Sequence, residues 1–280
     1  MQNKHLSFEF FPTRTEAGAE KLKATAAKFA EYKPEFFSVT FGAGGSTREK
    51  TLETVLAAKN ASKIPTAAHF SCIGYNKAEI RELLQTYQAA GLTHLVALRG
   101  DIPSGVTNPG GDFNYASELV EFIRAETGEH FYLAVGAYPE YHPQAAKNPD
   151  TDFQNFVNKV KAGANCAITQ YFYNPDAYCY FLERCQKAGI DIPIYPGIMP
   201  ITNYQQLARF SDVCGAELPR WIRLKLAAFK EDEMDDLAKF GCEVVSKICE
   251  RLLAAGAPGL HFYSMNKFEP SAAILKNLHA

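Results

Sequence analysis

Glu9 stands between two phenylalanines, in the run Phe8-Glu-Phe-Phe11. A carboxylate in such an apolar strand is costly to ionise unless paired, so its pKa is expected to rise and leave it holding a proton near neutrality. That suits a general acid; the competing reading is a structural ion pair to a neighbouring strand, with Arg99 as candidate partner. Arg99-Gly100-Asp101 closes a second apolar run, Leu95-Val-Ala-Leu98. The arginine offers a planar fork to phosphate or carboxylate, and the glycine lets a ligand approach the backbone. Here the competing reading is a surface salt bridge. Tyr138-Pro-Glu-Tyr-His142 puts an aromatic ring, a rigid turn and an imidazole in one segment. His69 and His142, taken singly, are more often structural than catalytic. The absence of HxH and HExxH patterns argues against a metal site, and the absence of a GxSxG elbow argues against serine hydrolysis.

These residues need elements to position them. Runs of β character fall at 6–11, 36–41, 66–72, 94–98, 132–137, 166–172, 192–198 and 259–265. Between them, apolar residues recur at helical spacing, as in Leu83, Leu84 and Tyr87 or Leu119, Phe122 and Ile123. Gly91, Gly163 and Gly189 close helices just before the next strand. No two strands are joined by a hairpin-length turn, so parallel pairing through helical crossovers is the economical topology. Strand starts lie about thirty residues apart, one βα unit each. The stretch 198–259 is the exception, with room for helices near 204–214 and 232–255. Eight strands and an additional helix before the last one predict a single α/β domain over 1–280, a (β/α)8 TIM barrel. A doubly wound sheet is the alternative, weakened because no GxGxxG follows the first strand.

In such barrels the chemistry collects at the C-terminal ends of the strands. The polar residues expected there are Glu9, Thr40, His69, Arg99, Asp101, Tyr138, Gln170 and the 263–267 segment. The Pro/Gly-rich loop 102–114 reads either as a mobile cover or as plain surface.

Composition excludes several classes of protein. A formal net charge of -2, with no block of like charge, recommends neither a nucleic-acid groove nor a membrane surface. No apolar run nears the ~20 residues of a membrane span, and the N-terminus has no signal core. Seven cysteines without a CxxC pair read as reduced thiols of a cytoplasmic protein.

The motifs Phe8-Glu-Phe-Phe-Pro12, Ser38-Val-Thr-Phe-Gly42, Ala68-His-Phe-Ser-Cys72, Ala97-Leu-Arg-Gly-Asp101, Tyr138-Pro-Glu-Tyr-His-Pro143, Ala162-Gly-Ala-Asn165, Ile168-Thr-Gln170, Pro196-Gly-Ile198 and Leu260-His-Phe-Tyr263 occur in register from the first strand to the last. In this the chain resembles the methylenetetrahydrofolate reductase family. The resemblance implies a barrel that binds FAD non-covalently, takes hydride from NADH or NADPH, and reduces 5,10-methylenetetrahydrofolate to 5-methyltetrahydrofolate by a ping-pong scheme, supplying methyl groups for methionine synthesis. It implies FAD contacts at Thr40, His69, Arg99, Gly100, Asp101, Tyr138, His142, Asp152, Lys159 and Ala164. Glu9 would protonate folate N10, and Asp101 would tune the flavin. Gln170, Gln206 and Phe210 would hold the alternating substrates, and Tyr263 and Lys267 would meet the folate tail.

The chain departs from the family pattern in two places. Lys267 replaces the usual arginine, and 221–233 matches poorly. The lack of an arginine cluster for a 2′-phosphate favours NADH. By resemblance a homo-oligomer is expected, as is the absence of an adenosylmethionine-binding regulatory region. The rival readings are another flavin barrel such as a proline dehydrogenase, a flavin- or folate-binding barrel without turnover, and a flavin-free lyase or aldolase.

Overall fold

The computed structural model describes residues 4–41, 48–101, 110–145 and 148–279. Its strands are β1 (His5–Phe10), β2 (Phe36–Val39), β3 (Thr66–Ser71), β4 (His94–Leu98), β5 (Tyr132–Ala137), β6 (Cys166–Thr169), β7 (Ile194–Tyr195), β8 (Gly197–Ile198) and β9 (Gly259–Tyr263). Around them lie α1 (Glu16–Ala30), α2 (Arg48–Ser62), α3 (Lys77–Ala89), α4 (Ala116–Thr127), α5 (Pro149–Lys161), α6 (Pro175–Lys187), α7 (Tyr204–Cys214), α8 (Arg220–Ala227), α9 (Met234–Ala254) and α10 (Glu269–His279).

All pairings are parallel, in the order β7-β6-β5-β4-β3-β2-β1-β9-β8. The two ends of that order, β7 and β8, are separated in the chain by Pro196 alone, so the sheet closes on itself as an α/β barrel. The strand expected at 192–198 is thus two short ones. Proline has no N–H to give the ladder, while its carbonyl accepts from His261 N–H at 3.0 Å. Three α-helices, where two were expected, fill the stretch before β9, and a further helix, α10, follows it. The unforeseen α8 buries only Ile222 and Leu226 and leaves Trp221 and Leu224 exposed, so its apolar residues give no clean helical stripe. Most of the loop read as a possible cover, 102–109, lies outside the described residues. Among the described residues no helix is long and apolar enough to cross a membrane.

The period of two in β1 decides where the chemistry goes. Leu6, Phe8 and Phe10 point outward into the layer between barrel and helices, where Phe8 stacks on Phe29 of α1 with centroids 4.0 Å apart. Ser7 and Glu9 therefore face the barrel axis. The aromatic neighbours that make Glu9 look stranded in one dimension belong to the opposite face. Inside the barrel, Phe36, Ala67, Val96, Ala134, Cys166, Ile168 and Tyr195 form a separate apolar plug. Beside it Ser7, Glu9, Ser38, His69 and His261 make a buried polar cluster from β1, β2, β3 and β9.

Gly197 seals the broken strand. A Cβ there would lie 2.2 Å from Thr169 O and 2.6 Å from Tyr263 Cε2. Gly197→Ala is expected to cost at least about 2 kcal/mol, because backbone on one side and an anchored ring on the other cannot give way. The check is the midpoint of urea unfolding at unchanged slope; a shift worth less than ~0.5 kcal/mol would mean the seam is pliant.

Candidate active site

At the mouth of the barrel a cavity of about 870 Å³ is bordered by Glu9, His69, Asp101, Gln170 and Tyr263 among others. A second cavity of about 480 Å³ adjoins it over β4 and β5. Leu98, Asp101, Gly136 and Tyr138 border both, so the two form one bent cleft.

Glu9 is the deepest charge in the cleft, its side chain 9% exposed. His69 Nε2 lies 3.1 Å and His261 Nε2 3.7 Å from its Oε2, and His261 Nδ1 shares a 2.7 Å hydrogen bond with Ser7 Oγ. The partner is thus a pair of imidazoles, not Arg99. The expected rise in pKa is overturned with it. Burial pushes Glu9 up, but the charges and hydrogen bonds of His69 and His261 outweigh burial and bring it to about 2. The resting carboxylate is ionised. Ser38 Oγ, which is buried across the β1–β2 pair, His69 Nε2 and His261 Nε2 have no well-aligned hydrogen-bond partner. Of the three residues, His69 borders the cavity, and it is there that a ligand or a moving proton would reach the set.

The adjoining cavity has a different chemistry. Gly100 turns there with φ of 89°, and a Cβ would sit 2.0 Å from Ser71 Oγ. Only glycine passes so close to β3, and Ser71 Oγ in turn donates to Arg99 O at 2.9 Å. Asn148, the N-cap of α5, and Thr151, Asp152, Asn155 and Lys159 along it present one face to the space. Lys159 lies near the rings of Tyr138 and Phe156, at 6.0 and 5.7 Å, and donates to Gly136 O at 2.5 Å. Burial lowers its pKa to about 8 against the pull of Asp152. Asp152 also accepts from His142 N–H at 3.0 Å. Burial lowers the His142 imidazole, and burial with the charges of Asp101 and Asp152 lifts the Tyr138 phenol to about 12.

The cleft gathers Glu9, Thr40, His69, Arg99, Gly100, Asp101, Tyr138, His142, Asp152, Lys159, Gln170, Phe210 and Tyr263 from the expected set. Three expected residues lie elsewhere. Ala164 is buried at the entry to β6, at the opposite end of the barrel, and borders neither cavity. Its neighbour Asn165 has a structural task there, accepting from Leu133 N–H at 2.7 Å and from Arg124. Gln206 stands exposed on the first turn of α7, its backbone N–H held by the Asn203 cap, whereas Phe210 and Cys214 further along reach the cleft. Lys267 is exposed because Met265 and Asn266 both take positive φ, of 52° and 56°, and reverse the chain after β9. That turn is held by Asn266, which accepts from Phe11 N–H at 2.8 Å and donates to Phe11 O at 3.0 Å.

Other cleft residues were not singled out in advance. Ala145 and Asn155 border the second cavity, and Arg14 and Lys50 bring positive charge to the first. Ala145 had a signal, since it lies two residues after the Tyr138–Pro143 motif. Among the described residues no group of three His, Cys, Asp or Glu is placed to hold a metal ion.

Comparison with known proteins gives a consistent result. The family model described as methylenetetrahydrofolate reductase matches residues 1–279. The 5,10-methylenetetrahydrofolate reductases of Pectobacterium carotovorum and Escherichia coli are each 36% identical over 98% of this chain and 90% of their own length. The Arabidopsis thaliana protein named methylenetetrahydrofolate reductase (NADH) 1 is 35% identical over 97% of this chain, which spans 48% of that protein. Among solved structures, an uncharacterised Clostridium thermocellum protein that binds two copies of 5-methyl-5,6,7,8-tetrahydrofolic acid superposes with a TM-score of 0.65 at 20% identity, covering 98% of this chain and 94% of that one. At that identity the likeness speaks for the fold.

The ion pair sets an acid limb on stability. Glu9's pKa in the fold lies below its ordinary 4.5, so its ionised form stabilises the fold above about pH 4.5, and that contribution drains away as pH falls toward 2. The unfolding free energy of the wild type relative to Glu9→Gln should drop by about 2 kcal/mol between roughly pH 6 and pH 3. Urea titrations at each pH measure it, and a flat difference contradicts the pairing.

Proposed function

The chain belongs to the methylenetetrahydrofolate reductase family, and we propose that it reduces 5,10-methylenetetrahydrofolate to 5-methyltetrahydrofolate with hydride from NADH passed through non-covalently bound FAD. Family membership removes the proline dehydrogenase reading. The observation that carries the proposal is that Glu9, Asp101 and Gln170, from three separate strand ends, border one cavity. The two substrates would use that cavity in turn, and the 5-methyl product suits methionine synthesis. The donor is taken as NADH because, among the described residues, each cavity is bordered by a single arginine, Arg14 or Arg99, and because plant relatives carry NADH in their names.

The residues present fit FAD. The side-chain-free passage at Gly100 and the sunken cation of Lys159 suit a dinucleotide's pyrophosphate, with Arg99 and His142 beside them. Thr40, His69, Asp101 and Tyr138 border the space for the ring. Bound there, FAD supplies a two-electron carrier between donor and folate.

The chain itself supplies the proton. Opening the five-membered ring of the substrate needs protonation at folate N10. Glu9 borders the cavity and its Oε2 is the atom in contact with both imidazoles, at 3.1 and 3.7 Å. Glu9 therefore acts as a relay: it takes a proton from His69 or His261 and delivers it into the cavity, while Ser7 fixes the His261 ring. Gln170 Oε1 accepts from Tyr171 N–H at 3.0 Å, which leaves its NH₂ for a pterin or nicotinamide carbonyl. Tyr171, Met199 and Phe210 give the flat rings an apolar wall that excludes water. For the folate's glutamate carboxylates the candidates are Arg14 and Lys50 at the cavity edge, because Lys267 faces solvent.

The protein loaded with FAD should be yellow, bleach with NADH in the absence of oxygen, and recover its colour on adding methylenetetrahydrofolate. Glu9→Gln should bleach at the wild-type rate and lose the folate step by about 10²-fold or more; equal loss of both steps would rule out the relay. Arg14→Ala should raise the folate KM by about 3–10-fold and leave an analogue without the glutamate tail unaffected. An equal effect on that analogue would move the tail elsewhere.

A further inference from the structure

Glu140 is a partly buried acid that the chemistry above does not use. It belongs to the segment after β5 that carries Tyr138 and His142 to the cleft. Its Oε2 accepts a 2.8 Å hydrogen bond from Glu217 N–H, in the segment that follows α7. Its Oε1 is buried without a hydrogen-bond partner. A few residues away the same two segments meet again: Gly215, the left-handed cap of α7, packs on Pro143, where a Cβ would come within 2.9 Å of Pro143 Cγ. On one side of this joint stands Tyr138, which borders both cavities; on the other stands α7, whose Phe210 and Cys214 border the first.

We propose that Glu140 is a positioning residue, clamping the C-terminal end of α7 to the Tyr138–His142 segment so that the cofactor wall and the substrate wall of the cleft hold a fixed spacing. The inference rests on the function proposed above. In a site that serves a nicotinamide and a pterin in turn, both substrates must meet the same reacting face, and the width of the cleft is set where these walls join. The clamp acts on substrate affinity through Phe210 and touches no reacting atom.

The clamp is also sensitive to pH. Burial raises the Glu140 pKa to about 7, the backbone N–H of Glu217 pulls it down, and the Glu217 carboxylate pushes it up. The phenol of Tyr171, from the segment after β6, feels the Glu140 charge and is itself hydrogen-bonded to Ser211 of α7 at 3.2 Å. A pKa raised by folding means that the neutral form belongs to the tight joint. The stabilisation is complete below about pH 4.5 and is lost as pH rises through about 7. Above that, an extra negative charge sits in the joint beside Glu217.

The test uses the full chain with FAD and follows the two half-reactions separately for Glu140→Ala and Glu140→Gln. Glu140→Ala should raise the half-saturating concentrations of both NADH and folate about 10-fold, with limiting rates within about 2-fold and colour retained. Glu140→Gln keeps the acceptor for Glu217 N–H, so it should restore wild-type affinity at pH 6. Being permanently neutral, it should also stay tight at pH 8, where the wild type loosens. If Glu140→Ala does not fold, the pH profile of Glu140→Gln against wild type decides alone. Unchanged affinities in Glu140→Ala, loss confined to limiting rate, or a wild-type pH profile in Glu140→Gln would each overturn the clamp. A wild type that NADH does not bleach would instead refute the underlying function.

Discussion

A carboxylate inside a barrel must find a positive partner or give up its charge. In this chain Glu9 lies against two imidazoles, His69 on β3 and His261 on β9, and the rest of the site is arranged about that contact. Taken alone, burial would have made Glu9 a weak acid holding its own proton. Flanked by imidazoles it is a strong one, with its pKa drawn down to about 2.

The barrel makes this contact achievable. β1 gives its outward positions to phenylalanines, which anchor it against α1, and its inward ones to Ser7 and Glu9. Neighbouring strands bring the imidazoles to the same interior, and an apolar plug fills the remainder. The recess over β4 and β5, with Arg99 and Lys159 beside Asp101 and Asp152, is lined separately from Glu9, so Glu9 and the Arg99–Lys159 set do not neutralise each other. One cleft thus has an acidic residue, Glu9, at one end and a recess bordered by Arg99 and Lys159 at the other.

Much of this was legible in the sequence, because strand period and helix punctuation are local properties. The eight β runs, the polar residues at their ends and the single cleft all follow from patterns a few residues long. What escaped needed three dimensions. Nothing near Glu9 in the chain names His69 or His261 as partners, so the sequence allowed the direction of its pKa shift to be read wrongly. Lys267, expected at the folate tail, is exposed after the left-handed turn at Met265 and Asn266, which no local pattern announces. Ala164 and Ala145 are the same residue type on either side of α5, and only the fold tells which end of the barrel each occupies. The break at Pro196 was legible as a proline, but not as the place where the ring of strands closes.

The most direct test of this account is the ionisation state of Glu9 itself. Infrared difference spectra between wild type and Glu9→Gln, with isotope-labelled glutamate, separate a carboxylate from a carboxylic acid at one position. The account predicts that the signal lost in Glu9→Gln is that of a carboxylate at neutral pH and remains so down to about pH 4. A protonated carboxyl band at neutral pH would contradict it, returning the proton to Glu9 and leaving the two imidazoles without their role.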